Sequence, residues 1–338
     1  MQTNDGWKLQ ICTDLALEAA EILYAGQGTD TGEIDGIITD TDKYRIDGSE
    51  IKITTVRVVN ENGAKSIGKP VGTYVTLETE AVKENNTQAS EKIIELLAAR
   101  FVEFVEIGES ESVLIVGLGN WNVTPDALGP KAVSKVLVTR HLLANIPESI
   151  VDAVRPVSAI APGVMGITGI ETLDVIKGII NETKPSLVIA IDALAARHSG
   201  RINATIQITD TGINPGAGVG NPRASLSEET LGVPVVAIGV PTVVDAATLV
   251  NDTMDRMLGA MIEELPEGSQ FYSMLNNLES EEKLGLIRGA LDPYTGNMFV
   301  TPKEVDSVIE RLSNIIANML NIALHPGIGS SDINRYIY

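Results

Sequence analysis

Cysteine is nearly absent: Cys12 is the single one in 338 residues, which excludes an internal disulfide framework and fits a reducing compartment. Long apolar runs are missing too, and none approaches the roughly 18 residues that a membrane span needs. The start, MQTNDGWKLQ, has neither a basic region leading into an apolar core nor a small-residue cleavage site, so no secretory signal is expected. Positive charge is scarce, with 25 Lys and Arg against 45 Asp and Glu and a net charge of −20. A surface that acidic repels nucleic-acid backbones and anionic membranes, so direct binding to either is not expected. Histidine occurs three times, at His141, His198 and His325, without HExxH or comparable metal-ligand spacing. There is no Gly-x-Ser-x-Gly elbow for a serine nucleophile. What remains is a cytoplasmic globular chain, 44% hydrophobic and 21% charged, for which no metal and no cofactor is expected.

Three short apolar runs flanked by turn residues suit strands buried on both faces of a parallel sheet: Val113 to Gly117, Leu187 to Ile191 and Val235 to Gly239. Helical stripes lie between and after them. Leu173, Ile176, Ile179 and Ile180 mark one, and Val133, Val136 and Leu137 another. Val305, Ile309, Leu312, Ile316, Met319, Leu320 and Ala323 mark the longest, which Pro326-Gly327 ends. The alternation predicts a single α/β domain with a mostly parallel central sheet between helical layers. "IKITTVRVV" and "YVTLETE" predict an added β-hairpin at about 50–80, and residues 202–209 alternate like a half-exposed strand.

The stretch "VGLGNWNVTPDALGP" runs from a strand into Gly117-Leu118-Gly119, which raises the question of a nucleotide. A dinucleotide fingerprint needs a third glycine where Asn122 stands, and a phosphate loop needs Gly-Lys followed by Ser or Thr. Asp126 is the stronger clue. Pro130 has no N–H to donate and belongs in a first helical turn, which puts Asp126 at or near the N-cap, just past the end of a central strand. A helix cap is the plain reading. Asp192, however, follows the run Leu187 to Ile191 at the same end of another predicted strand. Sites in open α/β sheets form outside the carboxyl ends of the strands. If those strands are neighbours, the two acids face one crevice, one pKa rises, and the pair shares a proton.

"GLGNWNVTPDALGP", "APGVMGITGIET", "IDALAARHSGRI" and "DTGINPGAGVGNPRAS" occur in this order, and together they resemble the germination proteases of endospore-forming bacteria. The resemblance runs from "TDLALEA" to about "VPTVVDAATL", and more loosely to the C-terminus. Gly119-Asn120 followed by Asp126-Ala127-Leu128-Gly129 also looks like the first site motif of the hydrogenase-maturation proteases, which implies their three-layer α/β/α, phosphorylase/hydrolase-like fold. The family likeness implies an endopeptidase of the spore core that degrades small acid-soluble spore proteins during germination. It also implies an autoprocessed zymogen that assembles as a homotetramer, with Asp126 and Asp192 on the positions of the proposed catalytic acids. Family substrates are cut between an acid and a large apolar residue, as in Thr-Glu-Phe-Ala-Ser-Glu. Thr13-Asp14-Leu15-Ala16-Leu17-Glu18 has the same order of residue types. By that likeness Asp14–Leu15 is the processed bond, residues 1–14 are a propeptide and 15–338 the peptidase domain. An ordinary helix start capped by Thr13 or Asp14 is the alternative.

Other residues keep two readings each. The segment Gly212 to Gly220 is either an anion-binding nest or a loop around the substrate peptide. Glu171 is a third carboxylate or a helix-dipole partner. Arg197 and Arg201 are surface charges or partners of acidic substrate residues. His141 falls late in a predicted helix and His325 at a helix end suited to a dipole interaction. Cys12 lies within the predicted propeptide. Two rivals stand beside the acid-pair endopeptidase: a metal-dependent maturation-type peptidase on the same scaffold, and a non-enzymatic anion-binding protein.

Overall fold

The computed structural model describes residues 14–25, 32–34, 36–108, 110–142, 154–220, 223–264, 287, 289–291 and 298–335. The predicted propeptide, apart from Asp14, and Cys12 with it, lie outside the described residues.

A ten-stranded sheet organises the described residues. Its strands are β1 (Gly32–Ile34), β2 (Ile37–Ile46), β3 (Ser49–Val58), β4 (Gly72–Glu78), β5 (Val113–Gly117), β6 (Val157–Ile160), β7 (Leu187–Ala196), β8 (Thr205–Thr209), β9 (Val235–Asp245) and β10 (Phe299–Val300). They lie in the order β1-β2-β3-β4-β8-β9-β7-β5-β6, with β10 paired to β9. The three apolar runs singled out in the sequence are β5, β7 and β9, and they form parallel ladders as expected. The parallel arrangement is confined to β9-β7-β5-β6; every other ladder is antiparallel, so the sheet is mixed. The predicted hairpin at 50–80 is part of a larger meander, β1 to β4, that joins the sheet through β8. Strand β8 is buried along its whole length, not half-exposed, because β4 and β9 flank it and both faces are covered.

Helices cover the two faces. In chain order they are α1 (Ala16–Ala25), α2 (Glu61–Ile67), α3 (Thr87–Phe104), the short α4 (Leu128–Val133), α5 (Thr172–Thr183), α6 (Ala246–Glu264) and α7 (Val305–Leu324), of which α3, α4 and α7 pack together on one side. The α7 stripe is buried as its 3.6-residue period requires: Ile309, Leu312, Ile316 and Leu320 are fully buried against Ile189, Ile191, Ile238 and their neighbours. Each such side chain contributes about 1.5–3 kcal/mol relative to exposure. On the other face, α5 packs Ile176 and Ile180 on Leu114, Val116, Val188 and Ala190. Helix α1 packs Ala16, Ala20 and Tyr24, spaced four apart, on Ile37, Val56, Val58 and Tyr74. The result is the expected α/β/α sandwich.

The helix predicted around Val133 to His141 stops at Val133, and His141 lies exposed in a turn. His325 ends α7 but is fully buried. Its Nδ1 accepts from the Arg155 amide (3.2 Å) and its Nε2 faces the Leu137 carbonyl (3.3 Å), so the proton sits on Nε2. Burial, helped by the Arg155 charge, pushes its pKa down to about 4, so the ring is neutral and does not serve the helix dipole. The unfolded chain takes up this proton below about pH 6.5, whereas the fold refuses it until about pH 4. The stability that His325 carries is therefore full above pH 6.5 and is lost as pH falls through that window, about 3 kcal/mol at roughly 1.4 kcal/mol per pKa unit. The difference in denaturant-unfolding free energy between the natural chain and His325→Gln is expected to shrink by about that amount from pH 7 to pH 4. A constant difference would mean that the folded chain accepts the proton.

Candidate active site

The turn after β5 is built from backbone contacts. Leu118 donates to the Ile191 carbonyl (2.8 Å), tying the end of β5 to β7. A Cβ on Gly117 would stand 2.3 Å from the Gly129 carbonyl oxygen, and one on Gly129 would stand 2.3 Å from the Leu118 oxygen and 2.5 Å from the Ile191 oxygen. Gly119 has φ +114 and lies against the Asp126 carbonyl. These glycines serve close packing of strand, turn and α4. They answer the nucleotide question against a phosphate cradle.

That packing aims Asp126. It closes the 3-10 turn Thr124–Asp126, and the N-cap of α4 is Ala127 rather than Asp126. Asp126 is half-buried, and its Oδ2 accepts from the Asn120 amide (2.8 Å), so the carboxylate turns back toward the turn it belongs to. Asp192 is not past the end of its strand, because β7 runs on to Ala196 beside β9. It is past the end of β5, whose last residue, Gly117, pairs with Ile191. The inferred adjacency of the two strands is therefore direct. Asp192 is only 5% exposed, and its Oδ1 accepts from the Ala193 amide (2.9 Å). Burial first, then the charge of Asp126, and further down that of Asp14, raise its pKa well above the ordinary carboxylate value. Burial raises Asp126 as well.

Asp14, on the bond expected to be processed, lies at the same site. Its Oδ2 accepts from the Ala195 amide (3.2 Å), three residues along β7 from Asp192, so the carboxylate is held by the sheet. Burial raises its pKa too. The glycine-rich segment closes around it: a Cβ on Gly218 would stand 2.0 Å from that Oδ2, so a side chain there would displace the carboxylate. Leu15 is fully buried and begins the entry into α1. The acid four residues beyond the bond, Glu18, is 3% exposed. It pairs with Arg201 (3.4 Å) and accepts from the Arg197 amide (3.3 Å). Arg201 also pairs with Glu21 (2.6 Å) and Glu78 (2.9 Å). Arg201 thus meets acidic side chains of the chain's own N-terminal segment and of β4, whereas Arg197 contributes its backbone amide.

Two contributors escaped the sequence reading. The Lys69 ammonium donates to the Asp14 carbonyl oxygen (3.1 Å), and the Gln207 carboxamide reaches the same oxygen through Nε2 (3.4 Å) while its Oε1 accepts from the Ala16 amide (2.8 Å). Gln207 sits in an alternating strand and looked solvent-facing; only the sheet order reveals it. An open cleft of about 1020 Å³ lies alongside, lined by Asp14, Lys69, Tyr74, Leu194, Gln207 and Gly212 among others. Glu171 is the N-cap residue of α5, without a side-chain cap bond. His198 is exposed, its Nδ1 accepting from the Gly200 amide (3.1 Å). Among the described residues, no group of three or more His, Cys, Asp or Glu is arranged to hold a metal ion.

Known proteins similar to this chain cover nearly its whole length. A family model described as germination protease matches residues 16–276 and 261–337. The germination protease of Clostridium perfringens is 50% identical over 325 residues, 96% of this chain and 98% of that one. That of Clostridium tetani is 49% identical over 329 residues (97% and 100%), and that of Bacillus subtilis 48% identical over 359 (96% and 96%).

Proposed function

The chain belongs to the germination protease family, and on that premise we propose that it is an endopeptidase whose Asp126 and Asp192 share a proton across the scissile bond. One carboxylate deprotonates the attacking water while the other protonates the departing nitrogen. As a coupled pair they titrate together, and neither role belongs to one residue in advance. The substrates we assign are small acid-soluble spore proteins, cut after Glu or Asp and before a large apolar residue. The enzyme is made as a zymogen, processes itself at Asp14–Leu15, and works as a homotetramer in the spore core. The observation that carries this reading is the position of Asp14: the residue before the expected bond is held by the Ala195 amide, three residues along β7 from Asp192.

The full-length chain, held at neutral and then mildly acidic pH beside a peptide carrying Thr-Glu-Phe-Ala-Ser-Glu, tests the proposal by mass spectrometry. Loss of residues 1–14 and cleavage after the peptide's first Glu are expected, and both should be missing in Asp192→Asn. A peptide cut equally by that variant would remove the chemistry from Asp192 and favour the metal-dependent alternative. Sedimentation of the processed chain as a monomer would overturn the tetramer.

A further inference from the structure

Across the sheet, Asp192 pairs with Gly239 and Gly239 with Gln207, so Asp192 and Gln207 lie in one row on one face, two strand spacings or about 10 Å apart. Residues 14–16 cross this row. The Asp14 side chain is anchored on β7 at Ala195, and its backbone carbonyl is turned to Lys69 and Gln207. Gln207 grips the main chain on both sides of Leu15, accepting from Ala16 and donating to Asp14. A carboxamide only 5% exposed, in a strand whose neighbours are Ile206 and Ile208, is costly to bury unless it is hydrogen-bonded, and its bonds go to the backbone at the expected cleavage point. Main-chain contacts of this kind do not depend on the peptide's side chains.

We propose that Lys69 and Gln207 form the oxyanion site of the protease, holding the carbonyl oxygen of the residue before the cleaved bond. This rests on the reading above that Asp14–Leu15 is that bond. Water attacks the Asp14 carbonyl carbon and gives its proton to the ionised carboxylate of the pair. The displaced π electrons settle on the carbonyl oxygen, between the Lys69 ammonium and the Gln207 N–H. Collapse re-forms the carbonyl and breaks the bond to the Leu15 nitrogen, which takes the proton of the other carboxyl. One water is consumed, leaving a carboxylic acid on Asp14 and an amine on Leu15, and the pair again holds one proton. Assigning the carbonyl to Lys69 and Gln207 frees both aspartates for proton transfer, and donors aimed at a developing oxyanion are commonly worth 10²–10³-fold in rate.

Asp14–Leu15 is the one Asp–Leu pair in the sequence, so carbonyl-13C aspartate combined with 15N leucine gives a single correlated NMR signal, that of the Asp14 carbonyl. In full-length Asp192→Asn this signal is expected downfield, and adding Lys69→Met should move it upfield. In the otherwise natural chain, Lys69→Met should slow self-cleavage by roughly 10²–10³-fold. Lys69→Arg should retain most of the rate, and added alkylammonium should partly restore Lys69→Ala, neither of which a purely structural role predicts. An unmoved carbonyl signal, or self-cleavage of Lys69→Met within about threefold of the natural chain, would overturn the assignment. Self-cleavage by Asp192→Asn at the natural rate would sink the acid pair instead, and the carbonyl measurement would still decide the role of Lys69.

Discussion

Asp192→Asn is expected to lower cleavage by roughly 10³-fold or more, the upper part of the range for a positioned acid or base, while making the fold more stable at neutral pH. The two effects share one cause. Asp192 is buried beside Asp126 and Asp14, and its raised pKa means that the fold holds a proton where the unfolded chain has released it. The stability carried by this group is fully present below the unfolded value of 3.8 and is lost as pH rises through the raised one. At neutral pH the buried charge is therefore a burden that asparagine removes, and a gain of about 1–2 kcal/mol is in the usual range for such active-site replacements. At acid pH the gain should vanish. Thermal melts of both chains at acid and neutral pH, beside the cleavage assay, check this. An equal stability difference at both would show that Asp192 is ionised in the fold without strain. The same shift sets the activity profile: a shared proton persists above the pH at which an ordinary carboxylate has lost it, so cleavage should decline on the alkaline side only past the raised value of Asp192.

The largest structural effect is expected from Gly129→Ala. A methyl group at this second residue of α4 would stand 2.3 Å from the Leu118 oxygen, 2.5 Å from the Ile191 oxygen and 2.6 Å from the Leu118 nitrogen. All three are backbone atoms, so no side-chain rotation relieves the contact, and α4 must move away from β5 and β7. Overpacking of this kind costs about 3 kcal/mol or more. The same displacement carries Asp126, which leads directly into α4, away from Asp192. Misplacement by about 1 Å costs on the order of 10²-fold in rate, so activity should fall even at temperatures where the variant is fully folded. Denaturant unfolding and cleavage by the folded fraction separate the two losses. A variant as stable as the natural chain would show that α4 is not held by this contact.

The apolar runs that became β5, β7 and β9 were legible because strands buried on both faces need continuous hydrophobic residues. The stripe of α7 was legible because apolar residues at that spacing share one face only when the chain is helical. The boundaries were less so. Strand β7 continues through Asp192 to Ala196 because β9 runs alongside it, and a pairing partner cannot be read from the strand's own residues. The helix expected to reach His141 ended at Val133 although its apolar spacing was helical. Strand β8 alternated like a half-exposed strand, yet the helical cover and the N-terminal segment bury both of its faces.

Local chemistry was enough to single out Asp126 and Asp192, since each is an acid placed where an apolar run ends, whereas Asp14 and Leu15 were marked only by the likeness of their surroundings to the family's substrate pattern. Whether those four residues belong to one place is a matter of distance across the sheet, and only the tertiary structure decided it. Pairing of β5 with β7 brings the first two acids together, and anchorage of Asp14 on Ala195 adds the third. Lys69 and Gln207 had no motif at all: they stand 138 positions apart, and their shared partner is one backbone oxygen that every residue possesses. A backbone contact leaves no trace in residue types, so it becomes visible only once the chain has folded back on itself.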